Sequence, residues 1–246
     1  MDDKVVLVTG AARRVGAGIA RYLHARGCKL VLHYRGSRLE AEALADELER
    51  VRAGSVCLAQ ADLTAAGAPE RLIAEAVAAF GRLDALVNNA SSFYPTEVGA
   101  IGEADWDDLI GSNLKAPLFL AQAAAPHLAA SRGAIVGIVD IHAERPMAKH
   151  LVYSVAKAGH AQLIRALALE LAPRVRVNGV SPGVNLWPED EVSFDAAERA
   201  RIEASIPLAR TGGPDDIARA VAFLLLDTGY VTGQILAVDG GRSVVL

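Results

Sequence analysis

Short runs of apolar, largely β-branched residues alternate along the chain with longer stretches whose apolar positions recur every three or four residues. The first run is Val5–Val8, which ends at Thr9-Gly10. Similar runs follow at Leu30–Leu32, Val56–Ala59, Leu86–Val87, Ala134–Val139, Val175–Val180 and Ile235–Val238. Each is too short for a helix and predicts a strand. Between them, Ile19, Tyr22 and Leu23 mark one helical face. Leu44, Leu48 and Val51 mark a second, and Leu72, Ile73, Ala76, Val77 and Phe80 a third. An Ala/Leu-rich segment over about 104–130 predicts a long helix kinked at Pro117. The helix carrying Tyr153 runs to about Leu171 and stops at Pro173; further helices are expected over 195–204 and 214–226.

Continuous apolar strands separated by helices imply a parallel sheet covered on both faces. The chain therefore reads as α/β: a single Rossmann-type, doubly wound domain over 1–246, with about seven strands. Ligands of such a sheet bind at the carboxyl ends of its strands. One insertion follows the sixth strand on that side, SPGVNLWPEDEVSF, and predicts a substrate lid at about 183–205.

Composition narrows the class. The 246 residues are 52% hydrophobic and 22% charged, which suits one large core. A formal charge of −4 favours neither nucleic acid nor an anionic membrane surface. Cys28 and Cys57 stand apart, without disulfide or metal-ligand spacing, so no metal is expected and a reducing cytoplasm fits. The start, MDDKVVLVTG, enters a strand without a signal-type leader, and no apolar run reaches the ~18 residues that span a bilayer.

Candidate chemistry lies in three places. After the first strand, TGAARRVGAG sets Gly10, Gly16 and Gly18 before a helix. Glycines let backbone approach a pyrophosphate, and a helix N-terminus favours the anion. Arg13 and Arg14 would face phosphate from the same loop. The second strand ends in His33, Tyr34, Arg35, Gly36 and Ser37. An NAD enzyme usually has an acid here for the ribose 2′-hydroxyl; a base instead favours a 2′-phosphate, hence NADPH. Third, Tyr153 and Lys157 share a helix face one turn apart, thirteen residues after Asp140. The pair is either ordinary helix surface or a general acid–base, the lysine favouring the ionised tyrosine.

TGxxxxxG, Asn88-Asn89-Ala90, Asn113, Tyr153-x-x-x-Lys157, Pro182-Gly183 and VDGG at 238–241 resemble, in order and over the whole chain, the short-chain dehydrogenase/reductase family. The resemblance implies a nicotinamide cofactor, Tyr153 as proton donor, Lys157 on the nicotinamide ribose and Asn113 in a water-linked relay. It also implies Asp62 on the adenine and Asn89 under the cofactor, with Val15, Leu63, Ala90, Pro182 and Gly183 along the same cleft. Two departures matter. Arg14 stands where the family commonly has glycine, and Asp140 lies where its catalytic serine is expected.

Those departures, with NNASSFYPT, HYRGS and DIHAERPMAKHLVY, are similar to the pteridine reductase branch, including bacterial dihydromonapterin reductases. That branch implies Phe93 stacked on a pterin, and Ser91 and Arg14 shared between pterin and cofactor. It implies Asp140 and Tyr153 as the proton pair, and a homotetramer built on the long helices. Trp187 has two readings, closing over substrate or packing as part of the lid. His142, Glu144 and Arg145 read as a solvated loop near the substrate edge. The expected function is NADPH-dependent reduction of dihydrobiopterin, dihydromonapterin or dihydrofolate to the tetrahydropterin. The alternative is a short-chain carbonyl reductase acting on a ketone or acyl chain.

Overall fold

The computed structural model describes residues 3–187 and 195–246. Seven parallel strands form one sheet: β1 (Val5–Val8), β2 (Lys29–Tyr34), β3 (Val56–Gln60), β4 (Ala85–Asn88), β5 (Ala134–Ile138), β6 (Arg176–Pro182) and β7 (Ile235–Val238). Their spatial order is β3-β2-β1-β4-β5-β6-β7. The order reverses at β1 and β4, the crevice where ligands of doubly wound sheets bind.

Period-two alternation within each strand divides the core in two. Val6 and Val8 of β1, Leu30 and Leu32 of β2, and Val136 of β5 point to one face. There they meet Ile19 and Leu23 of α1 (Arg14–Ala25), Leu44 and Leu48 of α2 (Arg38–Val51), and Ile217 and Val221 of α8 (Pro214–Ala222). The alternate residues Val5, Leu7, Val31 and Ile135 point to the other face. These pack on α3 (Ala68–Phe80), α5 (Ala116–Ser131) and α6 (Leu151–Glu170) through Leu72, Leu120, Leu128 and Ile164. Each fully buried aliphatic side chain contributes roughly 1.5–3 kcal/mol relative to exposure. Cys28 is buried and Cys57 half-buried, and burial pushes both thiols up. Among the described residues, no helix is long and apolar enough to cross a membrane.

The 104–130 segment differs from its expected form. It comprises α4 (Glu103–Ile110), a π-helical turn over Gly111–Lys115, and α5. The irregularity thus precedes Pro117, which sits in the first turn of α5. The backbone stays helical through Lys115 and Ala116, so the expected irregularity at Pro117 takes the form of a π turn directly before the proline. Asn113 lies in the π turn, a device that often marks a functional site. The 214–226 segment likewise ends as α8 followed by a π turn over Phe223–Asp227.

Helix α6 seats Tyr153 and Lys157 close to the sheet because two strand glycines make room. A Cβ at Gly137 would stand 2.7 Å from His160 Nε2, and one at Gly179 would stand 2.9 Å from Ile164 Cδ1. Of the expected lid, α7 (Ala196–Ala204) is a helix capped by Asp195, which accepts from the Glu198 backbone N–H. Positions 188–194 of that lid lie outside the described residues.

Candidate active site

Two adjoining cavities run along the carboxyl ends of the strands. The first, about 610 Å³, collects Gly10, Arg13, Arg14 and Val15 from the glycine loop, and His33, Tyr34, Arg35, Gly36 and Ser37 from the end of β2. Asp62 and Leu63 after β3, and Asn89, Ala90 and Ser91 after β4, complete it. The second, about 700 Å³, is lined by Phe93, Asp140, Tyr153, Lys157, Pro182, Gly183 and Trp187. Arg13, Arg14, Val15, Asn89 and Ser91 line both.

The first cavity has a rigid floor. Thr9 Oγ1 accepts from the backbone N–H groups of Asn89 and Ala90, at 2.9 and 3.0 Å. The Asn89 amide donates back to the carbonyls of Thr9 and Gly10. His33 is buried beneath the loop. Its Nδ1 accepts from the Gly10 N–H at 3.1 Å, and its Nε2 lies 3.1 Å from the Ala61 carbonyl. Only the neutral Nε2–H tautomer satisfies both. Burial agrees, pushing His33 down to about 4. His33 therefore acts mainly as a brace for Gly10.

Charge at the rim is positive but partly engaged. Arg35 is exposed and lies 3.5 Å from Asp108, and Arg13 lies 3.6 Å from Glu40. Exposed pairs of this kind are worth at most about 1 kcal/mol, so a phosphate competes for either arginine. Asp62 accepts from the Thr64 N–H and hydroxyl, which hold its carboxyl below the usual carboxylate range. These donors, with the close backbone of the glycine loop, fit a dinucleotide laid along the cleft.

Arg14 has a left-handed backbone, φ 54°, where a glycine would be unstrained. Its guanidinium crosses the cleft and donates to the carbonyls of Leu186 at 2.7 Å and Trp187 at 3.1 Å. It thus ties the glycine loop after β1 to the segment that follows β6. The indole Nε1 of Trp187 donates to Glu203 on α7, 3.2 Å away, and Arg199 lies over its ring.

In the second cavity, the Tyr153 hydroxyl donates to Asp140 Oδ2 at 2.8 Å. Asp140 Oδ1 accepts from the His142 N–H at 2.9 Å, which aims the carboxylate from the end of β5. Tyr153 is pushed well above its ordinary value, first by burial and then by the Asp140 charge. The expected ionising effect of Lys157 does not dominate. Lys157 Nζ donates to the Ile138 carbonyl at 3.0 Å and lies 5.6 Å from the tyrosine ring centroid. Burial lowers Lys157 to about 8, opposed by Asp140. The arrangement can hold and pass a proton between carboxylate and phenol.

Asn113 is buried, and its side chain is fully engaged. Oδ1 accepts from the Ser91 hydroxyl at 2.6 Å, while Nδ2 donates to the carbonyls of Ser92 and Leu109. It anchors the Ser91–Ser92 loop to the π turn. Phe93, 39% exposed, stacks on His150 with centroids 4.7 Å apart and meets Tyr153 edge-on at 4.9 Å. His150 covers one face of the ring, and the residue as a whole stays partly exposed in the cavity. His142 Nδ1 lies 2.7 Å from the Arg145 carbonyl, and Glu144 pairs with Arg165 at 3.7 Å.

Two lining or supporting residues escaped sequence reasoning. His150, which backs Phe93, lies in a loop with no periodic signal. Arg242, in the second cavity, carries one available signal: a lone charge in the apolar tail RSVVL.

A family model described as enoyl-(acyl carrier protein) reductase matches residues 10–243. The chain is 37% identical to pteridine reductase 1 of Leishmania tarentolae, over 98% of this chain and 96% of that protein. It is 36% identical to the 3-oxoacyl-[acyl-carrier-protein] reductase FabG of Staphylococcus aureus, over 97% of each. It is 33% identical to the uncharacterized oxidoreductase YmfI of Bacillus subtilis, over 97% of this chain and 98% of that protein.

Proposed function

Because the chain belongs to the short-chain dehydrogenase/reductase family of oxidoreductases, we propose that it uses NADPH to reduce a dihydropterin to its tetrahydro form. The substrate class covers dihydrobiopterin, dihydromonapterin and dihydrofolate. The observation that carries this reading is the Asp140–Tyr153 hydrogen bond of 2.8 Å, set in one cavity with Phe93.

The reduction saturates a ring C=N bond, with hydride going to the carbon and a proton to the nitrogen. NADPH, when bound, supplies the hydride. In this reading Phe93 stacks on the pterin ring, with His150 packed against its other face. Ser91, Arg14 and Asn89 line both cavities and orient the two ligands relative to each other. Tyr153 holds a proton in its hydrogen bond to Asp140, and in this reading the pair supplies that proton to the ring nitrogen. Lys157, at the cavity wall, presents a cation to the nicotinamide ribose. Arg35 and Ser37 line the first cavity, and in this reading they receive the 2′-phosphate.

The resemblance to 3-oxoacyl reductases supports a second reading, reduction of a ketone. Electrostatics favours the first. Carbonyl reduction builds an oxyanion, which donors stabilise and a carboxylate repels. A ring nitrogen gaining a proton suits a carboxylate neighbour. Exposed Leu118 on α5 and Leu151 and Val155 on α6 support the homotetramer that accompanies this reading, and light scattering tests it. The enzyme itself is tested by following NADPH oxidation with the pterin panel beside simple ketones and acetoacetyl thioesters. Turnover of ketones alone would replace the first reading by the second.

A further inference from the structure

Arg242 has no part in the proton chemistry above, yet it is buried in the same cavity as Asp140, Phe93 and Tyr153. It opens the short helix α9 (Arg242–Val245) after two left-handed glycines, Gly240 and Gly241. Asp239 fixes that turn, its carboxylate accepting from the N–H groups of Gly241 at 2.9 Å and Ser243 at 2.7 Å. The residue is buried, 8% exposed. Its Nε donates to the Ser205 hydroxyl at 3.3 Å, next to the end of α7. Among the described residues, neither Nη group has a hydrogen-bond or ion-pair partner.

An arginine stays charged at any working pH. Taking a cation largely out of water with no ion-pair partner is unfavourable. Asp140 is the single carboxylate among the residues lining this cavity, against Arg13, Arg14, Lys157 and Arg242. Asp140 is already bonded to Tyr153 and to the His142 N–H, and it lies beyond 4.0 Å from Arg242. Burial lowers Arg242; the charges of Asp140 and Asp239 oppose that shift and Arg201 adds to it. Arg13 and Arg14 belong to the phosphate loop, so Arg242 is left for the ligand in this cavity.

We propose that Arg242 is a substrate-binding residue whose two Nη groups clamp an anionic oxygen pair, carboxylate or phosphate, carried by the substrate outside its reducible ring. Building on the pterin reading, this gives the substrate an acidic side chain. A planar fork suits such an oxygen pair better than an ammonium does.

The test compares dihydropterins that share one reducible ring. Dihydrobiopterin is neutral, dihydrofolate carries carboxylates, and the phosphate ester of a 6-hydroxyalkyl dihydropterin carries phosphate. In Arg242→Gln, the KM ratio of the anionic substrate to dihydrobiopterin should rise about 10-fold to 100-fold over wild type. The ester and dihydrofolate arms separate phosphate from carboxylate. An unchanged ratio, including equal losses on every substrate, would overturn the proposal and make Arg242 a support for the cavity. Melting curves report whether the Gln variant folds. Should it unfold, Arg242→Lys is read instead: the same ratio should rise several-fold, and an unchanged ratio is again contrary. If wild type reduces no pterin, the pterin reading fails separately, and acetoacetate against its ethyl ester poses the same ratio test of Arg242.

Discussion

The Tyr153 hydroxyl donates to Asp140 Oδ2 at 2.8 Å, linking the first turns of α6 to the residue just beyond β5. Burial and the Asp140 charge both hold the proton on the tyrosine. If this pair delivers the proton, Asp140→Ala should lower turnover at least about 100-fold while leaving NADPH affinity near wild type. Tyr153→Phe should act alike, and the double variant should be little worse than the worse single one. Stopped-flow turnover with fluorescence titration of NADPH measures both. Near wild-type turnover in Asp140→Ala would remove Asp140 from the chemistry.

Lys157 titrates at about 8 instead of its ordinary 10.5 because it is buried. It is a cation below that value and neutral above it. With its cation on the ribose, kcat/KM should fall as pH rises through about 8. A profile flat to about pH 10 would mean its charge is not needed.

His33 titrates at about 4 and His160 at about 3, against an ordinary 6.5. Between those values and 6.5 the unfolded chain holds more protons than the folded one. Stability is therefore complete above 6.5 and declines as pH falls through that window, by up to roughly 3 kcal/mol for His33. Urea midpoints measured across pH should show this slope, and His33→Asn should flatten it. An identical slope in the variant would assign the acid sensitivity elsewhere.

The Arg35–Asp108 contact of 3.5 Å is exposed and weak enough for a 2′-phosphate to displace. Arg35→Asp should shift the kcat/KM preference from NADPH toward NADH by at least about 10-fold. An unchanged ratio would place 2′-phosphate recognition on other residues.

The fold was legible where period and position coincide. Val6 and Val8 against Val5 and Leu7 show why: each strand feeds both cores, so it reads as a continuous apolar run. The first cavity was legible because four segments at strand ends supply most of it, each as a short run of neighbouring residues. The π turn at 111–115 was not, because the Asn113 side chain in it is held by a tertiary contact, the Ser91–Ser92 loop. Arg14 was visible as a departure from glycine, but not its reach to the carbonyls of Leu186 and Trp187. His150 and Arg242 meet the site only through tertiary packing, one behind Phe93 and one from the C-terminal turn. The influence of Lys157 on Tyr153 was overestimated from spacing alone, because burial and Asp140 outweigh it.

The most direct measurement is the initial rate of NADPH oxidation by the purified protein with 7,8-dihydrobiopterin, dihydromonapterin and dihydrofolate, alongside acetoacetyl thioesters and simple ketones. Tetrahydropterin should form with at least one pterin at a kcat/KM well above that of any ketone. No turnover of any pterin, together with brisk reduction of a ketone, would contradict an aspartate–tyrosine pair built for a ring nitrogen.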